Sequence, residues 1–600
     1  MKKIKQILSV ILVFAMMFGI AGCSNTSSTD ESALFSKGTY TSKAQGMGGD
    51  VEVEVVVSDN SIESVKVLNH NETPGLSDPA IEKIPADIIS AQGLKVDAVS
   101  GATLTSNAII EAVTACLEQA GGDIDNLKNK GLEETATEDE VIETDVVVVG
   151  GGIAGLSAAV AASEEGSKVV LLEKMASVGG ASIVCGGEII AAGTEMQKNQ
   201  GIEDSTEDLK NYWLEVGQEK VNEEIISFVA ENSGNTVDWL KERGVTFGDV
   251  TFSYNYPAQS PYRNHSTVSG TGQDFIMPLL ETAEKNGVDV RLETPAVSLI
   301  NEDGVIKGVI AEHKGSKITI NAKSTILATG GYANNEELMK EYSPAVGAFG
   351  TFLGEAHQGD GLIMARDAGA EIVAGGGAIA NPMDMGATGY SDAGGIFLNV
   401  TPEGTRFANE NDYWFKRTAN LYFEEGFNNY YGILDSKTEN EGLEEAINNG
   451  TAFKADTIEE LATAIGIEPD VLSQTVSRYN EMCINQVDTD FGKPAVGMIG
   501  NRAEFAQEVN LLTSIDEAPY YAISFPTNYV TGTFGGPKVN INSEVISTSG
   551  DTISGLYAAG EVANGELFYR QYPCSGSSIQ MSATMGIQAG KAAAEASQVK

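Results

Sequence analysis

Cysteine and histidine are scarce in this 600-residue chain, which contains 5 cysteines and 4 histidines. No two cysteines form a CxxC or CxxCH pattern, which excludes zinc sites of the usual spacing and attached c-type haem at the motif level. So few cysteines in so long a chain also argue against a disulfide scaffold.

Positive charge is scarce as well. Lys and Arg total 38 against 84 Asp and Glu, so the net charge is −46. Such an acidic chain repels phosphate backbones, which argues against nucleic acid as a partner. An anionic substrate would need a local Arg or Lys of its own. The 42% of apolar residues is enough for sizeable cores, and 67 glycines suit a fold whose backbone approaches a large cofactor.

The first 22 residues are typical of a secretory signal. Three lysines precede the apolar run Ile7–Ile20, which is shorter than the ~20 residues that a membrane span needs. Ala21-Gly22-Cys23 resembles a lipoprotein box, in which Cys23 becomes the lipidated first residue. An ordinary cleaved signal or a short anchor helix is the alternative. We expect a signal at 1–22, a polar tether at 23–37, and a lipid-anchored chain on the cell surface or the periplasmic face of a membrane.

Residues 38–120 form the first predicted domain, a small α+β unit. Val51–Val57 alternates as a strand, and Ser61–Leu68 is its hairpin partner. The sequence Asp97-Ala98-Val99-Ser100-Gly101-Ala102-Thr103 then opens a helix that runs to Leu117. The free amides at the start of that helix are able to receive a phosphate.

This segment resembles the FMN-binding domain of membrane electron-transfer proteins. The resemblance rests on the loop His70–Leu76 and on the motif Asp97–Ser106. In that family the threonine of Asp-x-x-Ser-Gly-Ala-Thr carries FMN as a phosphoester, which implies covalent FMN on Thr103 in this chain. The alternative is a capped helix after a glycine turn. The acidic segment that follows, residues 121–143, is predicted to be a linker.

A dinucleotide-binding motif begins the second predicted domain. A buried-strand run ends in Gly-x-Gly-x-x-Gly, and an acidic residue ends the next strand. Gly150, Gly152 and Gly155 would allow the tight turn, the approach of a pyrophosphate and close helix packing. Glu173 would accept ribose hydroxyls. This motif alone does not separate NAD from FAD.

Three later segments favour FAD. In order and spacing they resemble the FAD-binding subunit of the fumarate reductase and succinate dehydrogenase family, and most of all its secreted alkene reductases, such as urocanate and acrylate reductases. The segments are Val178–Ser182, Ile326–Gly331 and Gly555–Glu561. The resemblance covers Thr144–Ala596 and implies further contacts to non-covalent FAD. The residues concerned are Gly180, Ala181, Ser182, Gly330, Asp360, Glu561 and Ser577.

The same resemblance implies the domain organisation. We expect an α/β fold with a doubly wound FAD-binding domain in two parts, residues 144–369 and 513–600. An α+β clamp, or capping, domain at residues 370–512 would interrupt it.

The family's chemistry implies a catalytic residue. A hydride passes from N5 of FAD to an electron-poor C=C bond, and an arginine of the clamp protonates the neighbouring carbon. Gly404–Glu410 matches the family segment Gly-x-Arg-Phe-x-Asn-Glu, so the resemblance implies Arg406 as the proton donor. A surface or carboxylate-pairing arginine is the alternative. Because the pKa of a guanidinium exceeds about 12, such a donor needs a proton relay.

The family features that bind a dicarboxylate are largely missing, so fumarate is not the expected substrate. Family histidines are absent from Ala380–Met385 and Val530–Gly536, and Phe568–Ser577 replaces an Asn-Arg substrate loop. That last segment contains Tyr569, Arg570 and Tyr572. Their side chains would suit a substrate with one carboxylate and a planar group, such as an aryl- or imidazolyl-acrylate.

We therefore expect an anaerobic respiratory reductase that uses an enoate as electron acceptor. A membrane or extracellular donor would deliver electrons to the FMN. Two other functions stay open: a flavin dehydrogenase or oxidase of the ketosteroid dehydrogenase type, with Tyr569 or Tyr572 as acid and base, and a tethered flavin electron carrier. His265 and His357 are each open to two interpretations, a satisfied core histidine or a residue that faces FAD. No metal site is expected.

Overall fold

The computed structural model describes residues 33–132, 138–251, 261–351, 356–382, 397–438, 442–499 and 507–598. The predicted signal, Cys23 and most of the tether lie outside these residues, so the lipid anchor stays a prediction. Within the described part of the chain, no helix combines the length and the apolar character needed to cross a membrane.

The N-terminal domain packs helices on a three-stranded antiparallel sheet. Every second residue from Val51 to Val57 is buried, as the alternating pattern predicts. The predicted hairpin and the helix after it are confirmed. The elements are β1 (Gly38–Gln45), β2 (Asp50–Val57), β3 (Ile62–Asn69), α1 (Asp78–Ala91), α2 (Thr103–Gln119) and α3 (Ile124–Leu127).

Much of the predicted acidic linker is structured. The side chain of Asp123 caps α3 by accepting a hydrogen bond from the amide of Asn126, and Leu127 is buried in the core of the N-terminal domain. The next strand already begins at Glu140. Ile124 and Leu127, two apolar residues at helical spacing, both pack against the core of the N-terminal domain.

The central domain begins with a strand–helix–strand unit and continues through a series of helices and short strands. Its first part contains β4 (Glu140–Val149), α4 (Ile153–Glu164), β5 (Val169–Leu172), α5 (Gly180–Ile183), β6 (Glu188–Ile190), α6 (Glu195–Asn199), α7 (Thr206–Val216), α8 (Glu223–Glu231), α9 (Ser233–Glu242), β7 (Phe247–Thr251), β8 (Asn264–Thr267), α10 (Gln273–Lys285), β9 (Asp289–Arg291), β10 (Ala296–Glu302), β11 (Val305–His313), β12 (Ser316–Leu327), α11 (Glu336–Tyr342) and α12 (Asp360–Asp367).

An inserted domain follows, built on a five-stranded antiparallel sheet in the order β13-β19-β15-β14, with β16 also paired to β19. Its elements are β13 (Ile372–Pro382), β14 (Leu398–Val400), α13 (Trp414–Ala419), a π-helical turn (Asn420–Glu425), β15 (Asn429–Asp435), a 3-10 turn (Ser436–Thr438), α14 (Gly442–Asn449), β16 (Ala452–Ala455), α15 (Ile458–Ile465), α16 (Pro469–Asn485), β17 (Val496–Ile499), β18 (Gln507–Asn510) and β19 (Tyr520–Pro537).

The chain returns to the central domain later than the sequence predicts. The predicted boundary was residue 512, but β19 belongs to the sheet of the inserted domain and extends that domain to Pro537. The returning elements are β20 (Glu544–Ile546), β21 (Thr552–Ala558), a 3-10 turn (Glu561–Ala563) and α17 (Ser577–Gln598).

The central sheet has eight strands and carries the site. β4 runs parallel to β5 and β12, β21 runs parallel to β12, and β10 and β11 extend the sheet as an antiparallel edge. β4 ends in a continuous apolar run because it is covered on both faces. The predicted α/β fold is confirmed. In such sheets, ligands bind beyond the carboxyl ends of the parallel strands.

Candidate active site

A cavity of about 420 Å³ lies beyond the carboxyl ends of β4, β5 and β12. This volume is typical of a small-molecule site. One end is glycine-rich and is lined by Val149–Ala154, Gly179–Ser182 and Ala328–Gly330. The other end is closed by Tyr572 and by residues of the inserted domain, namely Ile379 from β13, Phe415 from α13 and Thr531 from β19.

Two glycines of the Gly-x-Gly-x-x-Gly motif are required by the fold itself. Gly150 has a φ of +109°, and a Cβ there would lie 2.3 Å from the carbonyl oxygen of Ala328. A Cβ on Gly155 would lie 1.8 Å from the carbonyl oxygen of Gly150. These glycines shape the turn and bring α4 against the strand, as the motif predicts.

The cavity also leaves room that only a ligand would use. A Cβ on Gly152, whose φ is an ordinary −72°, would meet no atom closer than 3.7 Å, and one on Gly186 would meet nothing within 4 Å. Thr329 Oγ1 and His357 Nδ1 are buried without a hydrogen-bond partner among the described residues. A dinucleotide cradle with unused polar groups beside it fits FAD, which carries a tricyclic flavin ring besides its adenine.

The three predicted acidic contacts all line this cavity. Glu173 accepts hydrogen bonds from the amides of Gly151, at 2.8 Å, and Met175, at 2.9 Å. Burial nevertheless raises the pKa of the Glu173 carboxyl. Each of its oxygens keeps a lone pair for a ribose hydroxyl. Asp360 pairs with Lys174 at 2.6 Å, and Glu561 is positioned by the backbone amide of Thr533 at 2.8 Å.

Most of the other predicted FAD residues line the cavity as well: Gly150, Gly152, Gly180, Ala181, Ser182 and Gly330. Ser577 does not line it. It is fully buried with its Oγ 3.1 Å from Cys574 Sγ, while its neighbours Gly576 and Ser578 face the cavity. The first turn of α17 rotates successive residues by about 100°, so the Ser577 side chain does not share the wall that its two neighbours form.

The predicted FMN site lies at the start of α2, where Thr103 is the first helical residue. No side chain of the described residues caps this helix, so its first amides stay available to a phosphate. In the matching loop, His70 Nδ1 is buried and has no hydrogen-bond partner in the part of the chain that the structure describes. The site fits FMN, and its attachment to Thr103 remains a prediction.

The N-terminal domain contacts the central domain next to the cavity. A Cβ on Gly101 would lie 3.2 Å from Cε of Met175, and one on Gly75 would lie 3.2 Å from Cδ1 of Ile183. Both glycines belong to the two segments that carry the FMN resemblance. The partner residues flank the glycine-rich wall Gly179–Ser182, so the two predicted flavin sites are neighbours.

Arg406 is not at the cavity. Its guanidinium donates to Glu410 at 2.8 Å through Nε and again through Nη2, and to Asp488 at 3.0 and 2.8 Å through Nη1 and Nη2. Lys493 pairs with Glu410 at 3.3 Å. The four side chains lie in the interior of the inserted domain, and each is at most 5% exposed.

This geometry corrects the assignment of Arg406 as proton donor. Burial alone would lower the pKa of the guanidinium, but the carboxylates of Glu410 and Asp488 outweigh it and raise the pKa further. A cation held on two sides by carboxylates releases a proton even less readily than a free one. Arg406 is the carboxylate-pairing arginine that the sequence left as the alternative.

Of the three predicted substrate residues, only Tyr572 lines the cavity. Arg570 adopts a φ of +53° and places its guanidinium 5.0 Å from the ring centre of Phe423 and 5.3 Å from that of Tyr569. Neither Tyr569 nor Arg570 is part of the cavity wall. The predicted pairing of a substrate carboxylate with Arg570 therefore has no support from this geometry.

The two histidines left open have different surroundings. His265 is fully buried; its Nδ1–H donates to the carbonyl of Arg263 and its Nε2 accepts from Thr194 Oγ1, both at 2.9 Å. Burial lowers the pKa of His265 to about 4, so it is a satisfied, neutral core histidine. His357, by contrast, lines the cavity.

Sequence reasoning missed the far wall of the cavity. Ile379, Phe415 and Thr531 come from β13, α13 and β19, which folding brings together across about 150 residues of chain. No local motif marks them, because each contributes a single side chain from an ordinary strand or helix.

Two comparisons now bear on the cofactors. The family described as "FAD binding domain" matches residues 145–579, and the family described as "FMN-binding domain" matches residues 46–118. The chain belongs to the FAD binding domain family. The cavity is thus a site for FAD rather than NAD, and FMN is the cofactor of the N-terminal domain.

Among the relatives of this chain are two named reductases. NADH:acrylate oxidoreductase of Vibrio harveyi is 28% identical over 88% of this chain and 59% of its own length, so the chain spans little more than half of that relative. Urocanate reductase of Eggerthella lenta is 28% identical, with 91% of this chain and 92% of the relative covered.

A solved structure supports the same placement. The open conformation of a flavocytochrome c3 fumarate reductase is 26% identical and superposes with a TM-score of 0.59 over 79% of this chain and 84% of its own. The predicted resemblance to the fumarate reductase-like flavoproteins is confirmed.

Proposed function

We propose that this chain reduces carbon–carbon double bonds conjugated to a carbonyl group, with electrons that enter through FMN on Thr103 and reach FAD in the cavity. FAD, when bound and reduced, supplies a hydride to the alkene. The observation that carries the proposal is the two-ended cavity, in which a dinucleotide cradle opens onto a wall built by the inserted domain.

The residues at the cradle end have a binding role. The amides at the start of α4 and the bare backbone of Gly152 receive the pyrophosphate. Glu173 accepts hydrogen bonds from ribose hydroxyls, and Glu561, which also lines the cavity, holds another part of the bound FAD. Thr329 Oγ1 and His357 Nδ1 have no hydrogen-bond partner among the described residues, and both atoms can bond to the flavin end of FAD.

The inserted domain excludes water from the reacting bond. Ile379 and Phe415 place apolar side chains at the far end, and Phe415 packs its ring 4.8 Å from that of Tyr572 at an angle of 89°. A dry end strengthens the electrostatic interactions at the reacting bond and limits side reactions.

The contact between the two flavin domains supports entry of electrons through FMN. Gly75 and Gly101 flank the predicted FMN site and contact Ile183 and Met175 beside the FAD cradle. We also propose that the chain works outside the cytoplasm, held by a lipid on Cys23. There, a flavin bonded to Thr103 is not lost by diffusion.

The names of the relatives suggest which alkenes to test. One relative acts on acrylate and another on urocanate, and both names denote enoates. We therefore include enoates among the candidate acceptors, together with esters and ketones of the same alkenes.

A reoxidation screen tests the proposal. The holoprotein is reduced chemically without oxygen and mixed in a stopped-flow instrument with acrylate, cinnamate, methyl cinnamate and benzylideneacetone. We expect at least one alkene to reoxidise the flavins at a rate that rises with its concentration, while the saturated analogues have no effect. Flavin that stays reduced with every alkene would contradict the proposal. Reduction of the oxidised protein by the saturated analogues would favour the dehydrogenase alternative.

A further inference from the structure

We propose that the acceptor's activating group is an uncharged carbonyl rather than a carboxylate, and that Tyr572 donates the proton that completes the reduction. The inference rests on the proposed function and narrows it to a class of substrate. Two observations carry the inference. The hydroxyl proton of Tyr572 has no acceptor among the described residues, and the described cavity wall includes no lysine or arginine that is free of a carboxylate partner.

The charges along the cavity oppose an anionic substrate. Four carboxylates line the described wall, those of Glu173, Glu188, Asp360 and Glu561. Lys174 is the one lysine or arginine in that described wall, and Asp360 already holds it at 2.6 Å. A substrate carboxylate would enter this acidic cavity and lose its hydration without a strong cationic partner.

Neither arginine predicted from the sequence supplies the missing charge. Arg406 is bound to two carboxylates inside the inserted domain, and Arg570 stacks on rings outside the wall. The stretch 352–355 lies outside the described residues and directly precedes the wall residue Ala356. It contains no lysine or arginine.

Tyr572 is placed to give up a proton into the cavity. Its hydroxyl oxygen accepts a hydrogen bond from the backbone amide of Ser578 at 2.7 Å, in the first turn of α17. No described residue accepts the hydroxyl proton, and the side chain lines the cavity while being only 7% exposed. The proton is therefore free to bond a substrate atom.

The position of α17 also stabilises the phenolate that Tyr572 forms when it gives up its proton. When the proton leaves, the negative charge on the phenolate oxygen lies at a helix N-terminus and keeps the Ser578 amide as donor. Burial raises the pKa of Tyr572, so the side chain holds its proton at neutral pH until a basic carbon forms.

Neighbouring rings fix the direction of the hydroxyl. The ring of Phe415 lies 4.8 Å from that of Tyr572 at 89°, and the ring of Phe568 lies 5.3 Å away at 75°. Edge-to-face packing of this kind restricts rotation of the tyrosine. The donor is thus held in place before the substrate arrives.

The reaction balances with these groups. The alkene carbon farther from the carbonyl receives two electrons and one hydrogen as a hydride, which reduced FAD would supply when bound. The O–H bond of Tyr572 breaks, and its proton bonds to the carbon next to the carbonyl, which leaves a saturated product. The phenolate takes a proton from water after the product leaves. A neutral carbonyl gives a singly charged enolate, whereas a carboxylate would give a dianion that this acidic wall cannot stabilise.

Matched pairs of alkenes test the substrate class. The reduced holoprotein is mixed with cinnamate and, separately, with methyl cinnamate and with benzylideneacetone, which share the phenyl-substituted double bond. We expect the neutral compounds to reoxidise the flavins at least about 100-fold faster than cinnamate. Equal rates, or a faster reaction with cinnamate, would overturn the inference while leaving the proposed function intact. If no alkene reacts, both fail.

The variant Tyr572→Phe tests the proton donor. It keeps the ring and its packing, so we expect full FAD content and an unchanged spectral shift when benzylideneacetone binds to the oxidised protein. Reoxidation should fall at least about 100-fold, since general acids contribute about 10²–10⁴ to rates. The wild type should also react more slowly in D2O, and the variant should lose that isotope effect.

Tyr431→Phe is the matched control. This tyrosine lies in β15, away from the cavity wall, and its hydroxyl makes one weak hydrogen bond, 3.4 Å from the carbonyl of Ile465. We expect wild-type rates from it. Wild-type rates in Tyr572→Phe, or a loss of FAD from that variant in place of a slower reaction, would overturn the role of Tyr572.

Discussion

Arg406 shows how far a single residue can be interpreted from its neighbours in sequence. The segment Gly404–Glu410 places an arginine and a glutamate four residues apart, and the structure joins them by two hydrogen bonds. Asp488 and Lys493, however, arrive from about 80 residues farther along the chain. A local motif does not contain these partners, so it identified the residue but not its role.

The same cluster predicts a large effect on stability. Arg406→Gln leaves Glu410 and Asp488 buried with less compensation, and we expect it to lower the free energy of unfolding of the inserted domain by about 3–5 kcal/mol. Arg478→Gln is the control, because Arg478 is 67% exposed in its pair with Asp490 and solvent-exposed ion pairs contribute little to stability. Denaturant unfolding of both holoproteins measures the difference.

One result would restore the catalytic assignment. An Arg406→Gln protein that unfolds like the wild type, retains FAD and no longer reduces any alkene would show that Arg406 acts in the reaction rather than in the stability of the inserted domain.

Among the elements, α4 and its preceding turn were the most predictable. Gly150, Gly152 and Gly155 act within a few residues of one another, so their spacing contains nearly all of the relevant geometry. The opposite holds for β19. Its 18 residues pair with β13, β15 and β16, and the sequence alone does not reveal these distant partners. The predicted end of the inserted domain was wrong for that reason.

A pair of substitutions at α4 separates cofactor binding from folding. A Cβ at position 152 would meet no protein atom closer than 3.7 Å but projects into the cradle, so Gly152→Val should fold normally and lose FAD. Gly155→Ala should destabilise the protein itself, because its Cβ would lie 1.8 Å from a carbonyl oxygen.

The ratio of flavin to protein after gel filtration and thermal unfolding of the apoproteins measure the two effects. Full FAD content in Gly152→Val would show that the cradle is not where the pyrophosphate binds.

At the scale of the whole molecule, the sequence predicted the two flavin domains but not their contact. Each domain carries compact motifs, and the family matches confirm both. The contact, in contrast, depends on Gly75 and Gly101 meeting Ile183 and Met175, about 75 to 110 residues away along the chain. These four residues form no recognisable motif, so the sequence alone does not predict that they meet.

That contact supports the proposal that the two flavins of this chain both deliver their electrons to a carbon–carbon double bond. Each fully reduced flavin stores two electrons, and each alkene consumes two. Replacing Thr103 by alanine removes the proposed attachment point of FMN and should leave FAD as the one electron store.

An anaerobic titration of fully reduced protein with the most reactive alkene of the screen, followed by flavin absorbance and product mass, counts these electrons. We predict that the wild type converts two equivalents of alkene per chain and Thr103→Ala converts one. A wild-type protein that stops after one equivalent with its FMN still reduced, or that forms no saturated product, would contradict electron delivery from both flavins to the alkene.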